Sequence, residues 1–346
     1  MNIALFHATL PEPGRKPGGV EVAVHRLANA LASSGEDEVT VYSLTGIPND
    51  ARYRHRRLFP NHAWLTRSVA ARLFVLPALL NFTRIEGDIL HLHGDDWFYF
   101  RRARPTLRTF HGSALWEARS AIGWPRKLVY YLVYPLERLS ARLCRRALAI
   151  GPETQRIYHA KQLVDNGVDM NLFRPGAKTP EPRILFVGTW AGRKRGKFLF
   201  DIFTRRVLPS FPRATLCMVS DFCPPHPRVI AEMFPSDEVL ARRYRESWLF
   251  ACPSTYEGFG IPYLEALASG TAIVSTPNEG AAYVLANGKF GVIAPDAEFG
   301  ARLLELLSSG ERREQLARQG RSRAEEFAWE AVASRHKMVY REVLSA

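Results

Sequence analysis

Between residues 249 and 275 the chain sets two short apolar runs around a glycine-punctuated turn and a helical pattern, and few folds accommodate that order. Leu249-Phe250-Ala251-Cys252 reads as a buried strand, and Thr271-Ala272-Ile273-Val274-Ser275 reads as another. Pro262 suits the first helical position, because its missing N–H would be unpaired there, and Gly270 suits the stop. The unit is strand, loop, helix, parallel strand. Parallel strands are covered on both faces by their crossover helices, which points to a doubly wound α/β domain.

The same stretch carries chemistry. Gly258 and Gly260 leave backbone N–H groups bare at the helix N-terminus, where the dipole favours an anion. Glu257 and Glu265 bracket the turn, and Glu265 lies about one turn into the helix, near the same mouth. Carboxylates there can accept hydrogen bonds from sugar hydroxyls. An anion seat with two such carboxylates describes a site for a sugar nucleotide; the plainer alternative is a capped helix with a surface glutamate at each end.

Residues 254–270, Ser-Thr-Tyr-Glu-Gly-Phe-Gly-Ile-Pro-Tyr-Leu-Glu-Ala-Leu-Ala-Ser-Gly, resemble the Glu-x(7)-Glu signature of the retaining glycosyltransferases of family four, the group 1 glycosyl transferases with the GT-B fold. That resemblance implies two Rossmann-like domains facing across a cleft, with a C-terminal helix returning to the N-terminal domain. It implies a UDP- or GDP-sugar donor held mainly by the second domain, and transfer with retention by a front-face route that needs no divalent metal. Glu257 would then contact the transferred sugar, Glu265 the ribose, and Gly258, Phe259 and Gly260 the donor phosphates.

The rest of the chain supplies the order such a fold needs. Strands are expected at Ile3–His7, Val39–Leu44, Asp88–His93, Pro105–Phe110 and Ala147–Ile150, alternating with helical patterns. Residues 64–82 and 124–146 read as helices, the second interrupted at Pro135. Trp124, Arg126, Lys127 and two tyrosines make 124–146 a candidate membrane contact as well as a core helix, with core packing the favoured reading. Turn residues and three prolines mark 166–183 as a linker. The expected domains are therefore 1–165, 184–326 and a terminal helix at 327–346 that crosses back.

Three further loops bear on a donor. Pro17-Gly18-Gly19 precedes the first helix and resembles the family's phosphate-facing glycine loop. Gly188-Thr189-Trp190-Ala191-Gly192-Arg193-Lys194-Arg195 follows the first strand of the second domain, where open α/β sheets bind ligands. Lys194 matches the family's diphosphate-binding lysine. Thr189 departs from its arginine, leaving Arg193 or Arg195 as the second cation. His111-Gly112 resembles the histidine beside the donor sugar. His91 and His93 share a strand face but lack a clear third metal ligand. Asp95-Asp96 looks like the metal-binding pair of the other glycosyltransferase fold, against which two parallel domains argue. Asn278-Glu279-Gly280 is expected near the same cleft, with no contact assigned.

Four scattered cysteines without paired metal spacing indicate free thiols in a reducing compartment, and no basic segment precedes an apolar run at the start, so cytoplasm is the expectation. A net charge of +13 calls for an anionic partner. No compact nucleic-acid module is present, so nucleic acid is not expected. Arginines clustered between 52 and 146, Arg102 among them, point to an acceptor that is anionic or held at the inner face of a membrane. The acceptor class stays open between a polysaccharide or lipid-linked glycan and a small molecule. A sugar phosphorylase of the same fold, and a non-catalytic nucleotide-sugar or nucleic-acid binding protein, are the alternatives.

Overall fold

A computed structural model describes residues 1–12, 18–61, 64–101, 103–121 and 123–346; Pro17 and Arg102 lie outside them. The described residues form two compact units. Unit 1 comprises Met1–Gly167 with Trp329–Ala346, and unit 2 comprises Val168–Ala328. Residues 168–182, read from the sequence as linker, belong to unit 2.

Unit 1 is built on a seven-stranded sheet of β1 (Asn2–Phe6), β2 (Glu38–Ser43), β3 (Arg54–Arg57), β4 (Ile89–Leu92), β5 (Thr106–Phe110), β6 (Arg146–Ala149) and β7 (Gln162–Leu163). Its order is β3-β2-β1-β4-β5-β6-β7, and every pair is parallel. Alternation along β1 divides the core: Ile3 and Leu5 pack into one layer, Ala4 and Phe6 into the other. The helix Trp329–Ser345 closes the first layer. Its Val332, Ala333, His336, Val339, Tyr340 and Val343 recur at helical spacing and are all buried.

Unit 2 carries a six-stranded parallel sheet of β8 (Arg183–Val187), β9 (Thr215–Val219), β10 (Val229–Glu232), β11 (Leu249–Cys252), β12 (Ala272–Ser275) and β13 (Val292–Ile293), in the order β10-β9-β8-β11-β12-β13. β11 reads as an unbroken apolar run because helices cover both of its faces, and all four of its residues are buried. In both sheets the strand order reverses once, between β1 and β4 and between β8 and β11. Ligands of open α/β sheets bind beyond the carboxyl ends of strands at that reversal.

Two helical expectations are corrected. Residues 64–82 break into the helix Trp64–Arg67, a π-type turn Ala71–Val75, the helix Leu76–Leu79 and a 3-10 turn Leu80–Phe82. By contrast, the helix Trp124–Leu143 runs straight through Pro135. Its inner side is pinned: Ser140 donates to Asp96 at 2.6 Å, and Glu137 accepts from the Ala114 N–H at 3.2 Å and from the Tyr158 hydroxyl. Those anchors hold a helix that a mid-helix proline would otherwise bend or break.

Candidate active site

The loops after β8 and β11 meet at the reversal point of unit 2. A single turn of 3-10 helix, Gly192–Lys194, presents Arg193 and Lys194, while the loop after β11 carries Glu257. The Lys194 ammonium lies 2.6 Å from Glu257 Oε1, and an Arg193 guanidinium nitrogen lies 3.2 Å from Oε2. The two loops are also stitched through their backbones. Arg193 donates to the Tyr256 carbonyl at 2.7 Å, and the Thr255 N–H donates to the Arg193 carbonyl at 2.9 Å. Glu257 is only 5% exposed. Burial alone would raise its pKa, but Lys194 and then Arg193 outweigh it and hold the carboxyl below its ordinary value.

Glycine is demanded at two positions here. Gly260 precedes the helix Ile261–Ala268 with φ at 97°, and a Cβ on it would meet the Tyr263 ring at 2.3 Å. A Cβ on Gly280 would meet the Phe259 carbonyl oxygen at 2.7 Å and the Glu257 Cβ at 2.9 Å. Gly280 also donates its N–H to the Glu257 carbonyl at 3.1 Å. The loop for which the sequence assigned no contact is therefore the brace behind Glu257. Asn278 reinforces it, accepting from the Ala281 N–H at 2.8 Å while its amide donates to the Ser254 carbonyl at 3.1 Å.

Glu265 stands on that helix, half-buried. Burial pushes its carboxyl up to about 7, against the opposing pull of the nearby Tyr244 hydroxyl. The Phe259 ring is buried against Tyr283 and Phe327. Arg195 is committed elsewhere, in a bidentate pair with Asp296 at 2.8 and 2.5 Å. Arg193 is thus the cation that shares the site with Lys194. Thr189 turns its hydroxyl to the Ala191 carbonyl at 2.7 Å.

Unit 1 gathers histidines at its own reversal point. His7 follows β1, His93 follows β4 and His111 follows β5. His93 Nδ1 lies 2.9 Å from His111 Nε2, and the His91 and His93 rings lie with centroids 4.0 Å apart, tilted by 40°. His91 is fully engaged, with Tyr340 and Thr109 hydroxyls each 2.7 Å away. Burial first, then neighbouring histidines and Arg108, hold His91 and His111 well below the ordinary imidazole value. Among the described residues no group of three or more His, Cys, Asp or Glu is placed to hold a metal ion. His111 Nδ1 is buried without a hydrogen-bond partner. His7, which the sequence reading passed over, was findable as the residue that directly follows the first strand.

Gly18 and Gly19 open the helix Gly19–Ser33. Neither has positive φ, and nothing lies within 4 Å of a Cβ built on Gly19. Among the described residues, a Cβ on Gly18 would meet only the Glu21 side chain, at 3.7 Å, so packing against them does not require glycine at either position.

Family models bear on this geometry directly. Residues 17–172 match the model described as Glycosyltransferase Family 4, and residues 227–323 match Glycosyl transferases group 1. The chain belongs to the group 1 glycosyltransferases. The GDP-mannose:cellobiosyl-diphosphopolyprenol alpha-mannosyltransferase of Xanthomonas oryzae pv. oryzae is 25% identical over 289 residues, 73% of this chain and 73% of its own length. The alpha-maltose-1-phosphate synthase of Mycolicibacterium smegmatis is 35% identical over 124 residues, 33% of this chain and 32% of its own. Among solved structures, the sucrose-phosphate synthase of Thermosynechococcus elongatus aligns with a TM-score of 0.77 at 20% identity, covering 99% of both chains. Anabaena Alr3699/HepE in complex with UDP and glucose aligns at 0.71 and 14% identity, covering 98% of this chain and 99% of its own. These likenesses establish the GT-B fold for this glycosyltransferase.

Proposed function

We propose that this glycosyltransferase moves a hexose, with retention, from a UDP- or GDP-sugar to an acceptor hydroxyl in the biosynthesis of a polysaccharide, lipid-linked glycan or other glycoconjugate, in the cytoplasm. The observation that carries the reading is the Lys194–Glu257–Arg193 cluster at the reversal point of unit 2. It offers fixed positive charge where a departing nucleotide diphosphate gathers negative charge, the arrangement that lowers a barrier without reorganisation. Gly258 and Gly260 add backbone N–H groups at the mouth of the Ile261–Ala268 helix. Glu265 is assigned to the ribose hydroxyls and Glu257 to the sugar. In unit 1 we assign His111, through its unpartnered Nδ1, to a sugar hydroxyl, and the backbone at Gly18 and Gly19 to phosphate.

The state of Glu257 supports a retaining route without a covalent enzyme intermediate. A carboxylate held ionised by two cations is a poor nucleophile and a poor base, so the leaving phosphate oxygen takes the acceptor proton. Lys194 and Arg193 also take the charge-neutralising part that a divalent cation plays in other enzymes, so turnover is expected to persist in excess chelator. The mannosyltransferase relative acts with GDP-mannose on a diphosphopolyprenol-linked sugar by its name, which supports a lipid-linked acceptor here.

A thermal-shift panel of UDP-, GDP- and ADP-sugars tests the donor assignment. A donor at 100 times its Kd should stabilise the fold by about 2.7 kcal/mol. One nucleotide series should raise the melting temperature and the others should not. A flat response to every nucleotide-diphosphate sugar would contradict the reading. Nuclear magnetic resonance of the product then reads the anomeric configuration directly.

A further inference from the structure

The first half of the helix Trp124–Leu143 carries apolar side chains on two sides, with Arg126 and Lys127 among them. Its inner side, Val129, Tyr130, Val133 and Tyr134, packs with Leu73 and Trp97. Its outer side, Trp124, Leu128, Tyr131 and Leu132, recurs at helical spacing and is exposed, Trp124 to 73%. An exposed apolar stripe beside Arg126 and Lys127 is the composition of a helix that lies at an interface. This one is covered on one side only.

Two other segments of unit 1 join the same group. Leu73 brings the Ala71–Val75 turn into the cluster, with Phe74 exposed beside it. The Asn81 amide ties the third segment down, donating to the Phe98 carbonyl at 2.6 Å and accepting from the Phe100 N–H at 2.8 Å. Next to this clamp stand Phe82, 86% exposed, and Phe100, 56% exposed.

Charge identifies what covers this face. Residues 51–136 hold fourteen Lys and Arg against five Asp and Glu, so nine of the chain's thirteen net positive charges lie in a quarter of its length. No carboxylate occurs in 51–85, 97–116 or 118–136, the segments that carry the exposed rings. Of the five acids, Asp95 pairs with Arg72, and Asp96 with Arg108. Glu86 pairs with Arg56 and Arg84, and the Asp88 carboxylate accepts from the Asn2 N–H. The fifth, Glu117, acts on Arg126. On the helix Trp124–Leu143, Arg126 lies over the Tyr130 ring, and on the preceding helix, Ala114–Ser120, Arg119 lies over the Trp116 ring. Aromatic and aliphatic side chains among an excess of cations suit an anionic bilayer surface, with rings at the acyl boundary and cations among the headgroups. A protein partner of ordinary composition would meet this face with acidic residues fixed opposite particular arginines, whereas fluid anionic lipid needs no such register.

We propose that this face of unit 1, centred on Trp124, Leu128 and Leu132, docks peripherally on an anionic membrane. Among the described residues no helix is long and apolar enough to cross one. The contact is independent of the donor reading, because it is measured without nucleotide. Co-sedimentation of the full chain should be compared on phosphatidylcholine vesicles and on vesicles holding about 30% phosphatidylglycerol, at ~0.1 M salt where the Debye length is ~10 Å. Binding to the anionic vesicles and weak binding to the neutral ones is expected. Trp124→Ser/Leu128→Ser/Leu132→Ser should lower the bound fraction at least about ten-fold, and Arg126→Glu/Lys127→Glu should abolish the preference for anionic lipid. Melting temperatures should stay at the parent value, and Trp124→Ser alone serves as the milder variant. No binding to anionic vesicles, or undiminished binding by the triple variant, would overturn the proposal. So would a lipid-free dimer in light scattering that the triple variant dissociates, since the face would then belong to a second copy.

Discussion

Glu265 titrates within the range in which donor binding is measured, because burial raises its carboxyl to about 7. In the unfolded chain the same group titrates near 4.5, so between those values the folded state holds the extra proton. Stability contributed by this group is therefore present at low pH and lost as pH rises from about 4.5 to about 7. On the proposed assignment of Glu265 to the ribose, whose hydroxyls would donate to the ionised form, the donor should bind about ten-fold tighter at pH 8 than at pH 6. Calorimetry in both buffers checks this, and Glu265→Gln should remove the slope. Glu257 lies below its ordinary value, and His93 and His111 lie well below theirs, so none of them competes in that window. Lys194→Ala leaves Glu257 with Arg193 alone. Turnover should fall by about 10²- to 10³-fold, the usual scale for removing a charge-stabilising donor. Unchanged steady-state rates would remove Lys194 from the chemistry.

At the scale of elements, the brace behind the site makes its own prediction. Gly280→Ala places a methyl against the Phe259 carbonyl and the Glu257 Cβ, both under 3.0 Å, so the 257–259 loop must move. The substitution should cost about 1–3 kcal/mol of stability and weaken donor binding although no ligand-facing side chain changes. Thermal denaturation and calorimetry read the two effects, and parental values for both would refute the brace. The 249–275 unit was legible in the sequence because its signals are local: apolar runs, a glycine turn, a proline near the helix start. β3 was not, since Arg54-His55-Arg56-Arg57 has no apolar alternation and takes its strand form by pairing with β2 at a sheet edge. The continuity of Trp124–Leu143 through Pro135 was hidden for a similar reason, because the contacts that hold it come from Asp96, Ala114 and Tyr158. The pairing of Lys194 with Glu257 spans 63 residues, and only the sheet order brings the two together.

On the scale of the whole molecule, the chain leaves unit 1 at Gly167 and rejoins it at Trp329. The crossings lie side by side, with Val168 bridged to Ala328 and its N–H donating to the Phe327 carbonyl at 2.8 Å. Deleting 329–346 would strip Val332, Val339, Tyr340 and Val343 from the unit 1 core, each worth about 1.5–3 kcal/mol buried. It would also leave His91 Nδ1 without its partner. Unit 1 should then lose cooperative unfolding, seen by calorimetric scanning or limited proteolysis, and an intact unit 1 transition would contradict that role for the terminal helix. The central claim is that the reversal point of unit 2 holds a nucleotide-diphosphate sugar. Isothermal titration of the preferred UDP- or GDP-sugar into the parent protein and Glu265→Ala tests it most directly. Saturable binding to the parent, weakened by at least about ten-fold in Glu265→Ala, about 1.4 kcal/mol or more, is the predicted result. Equal affinity in the two proteins would contradict it.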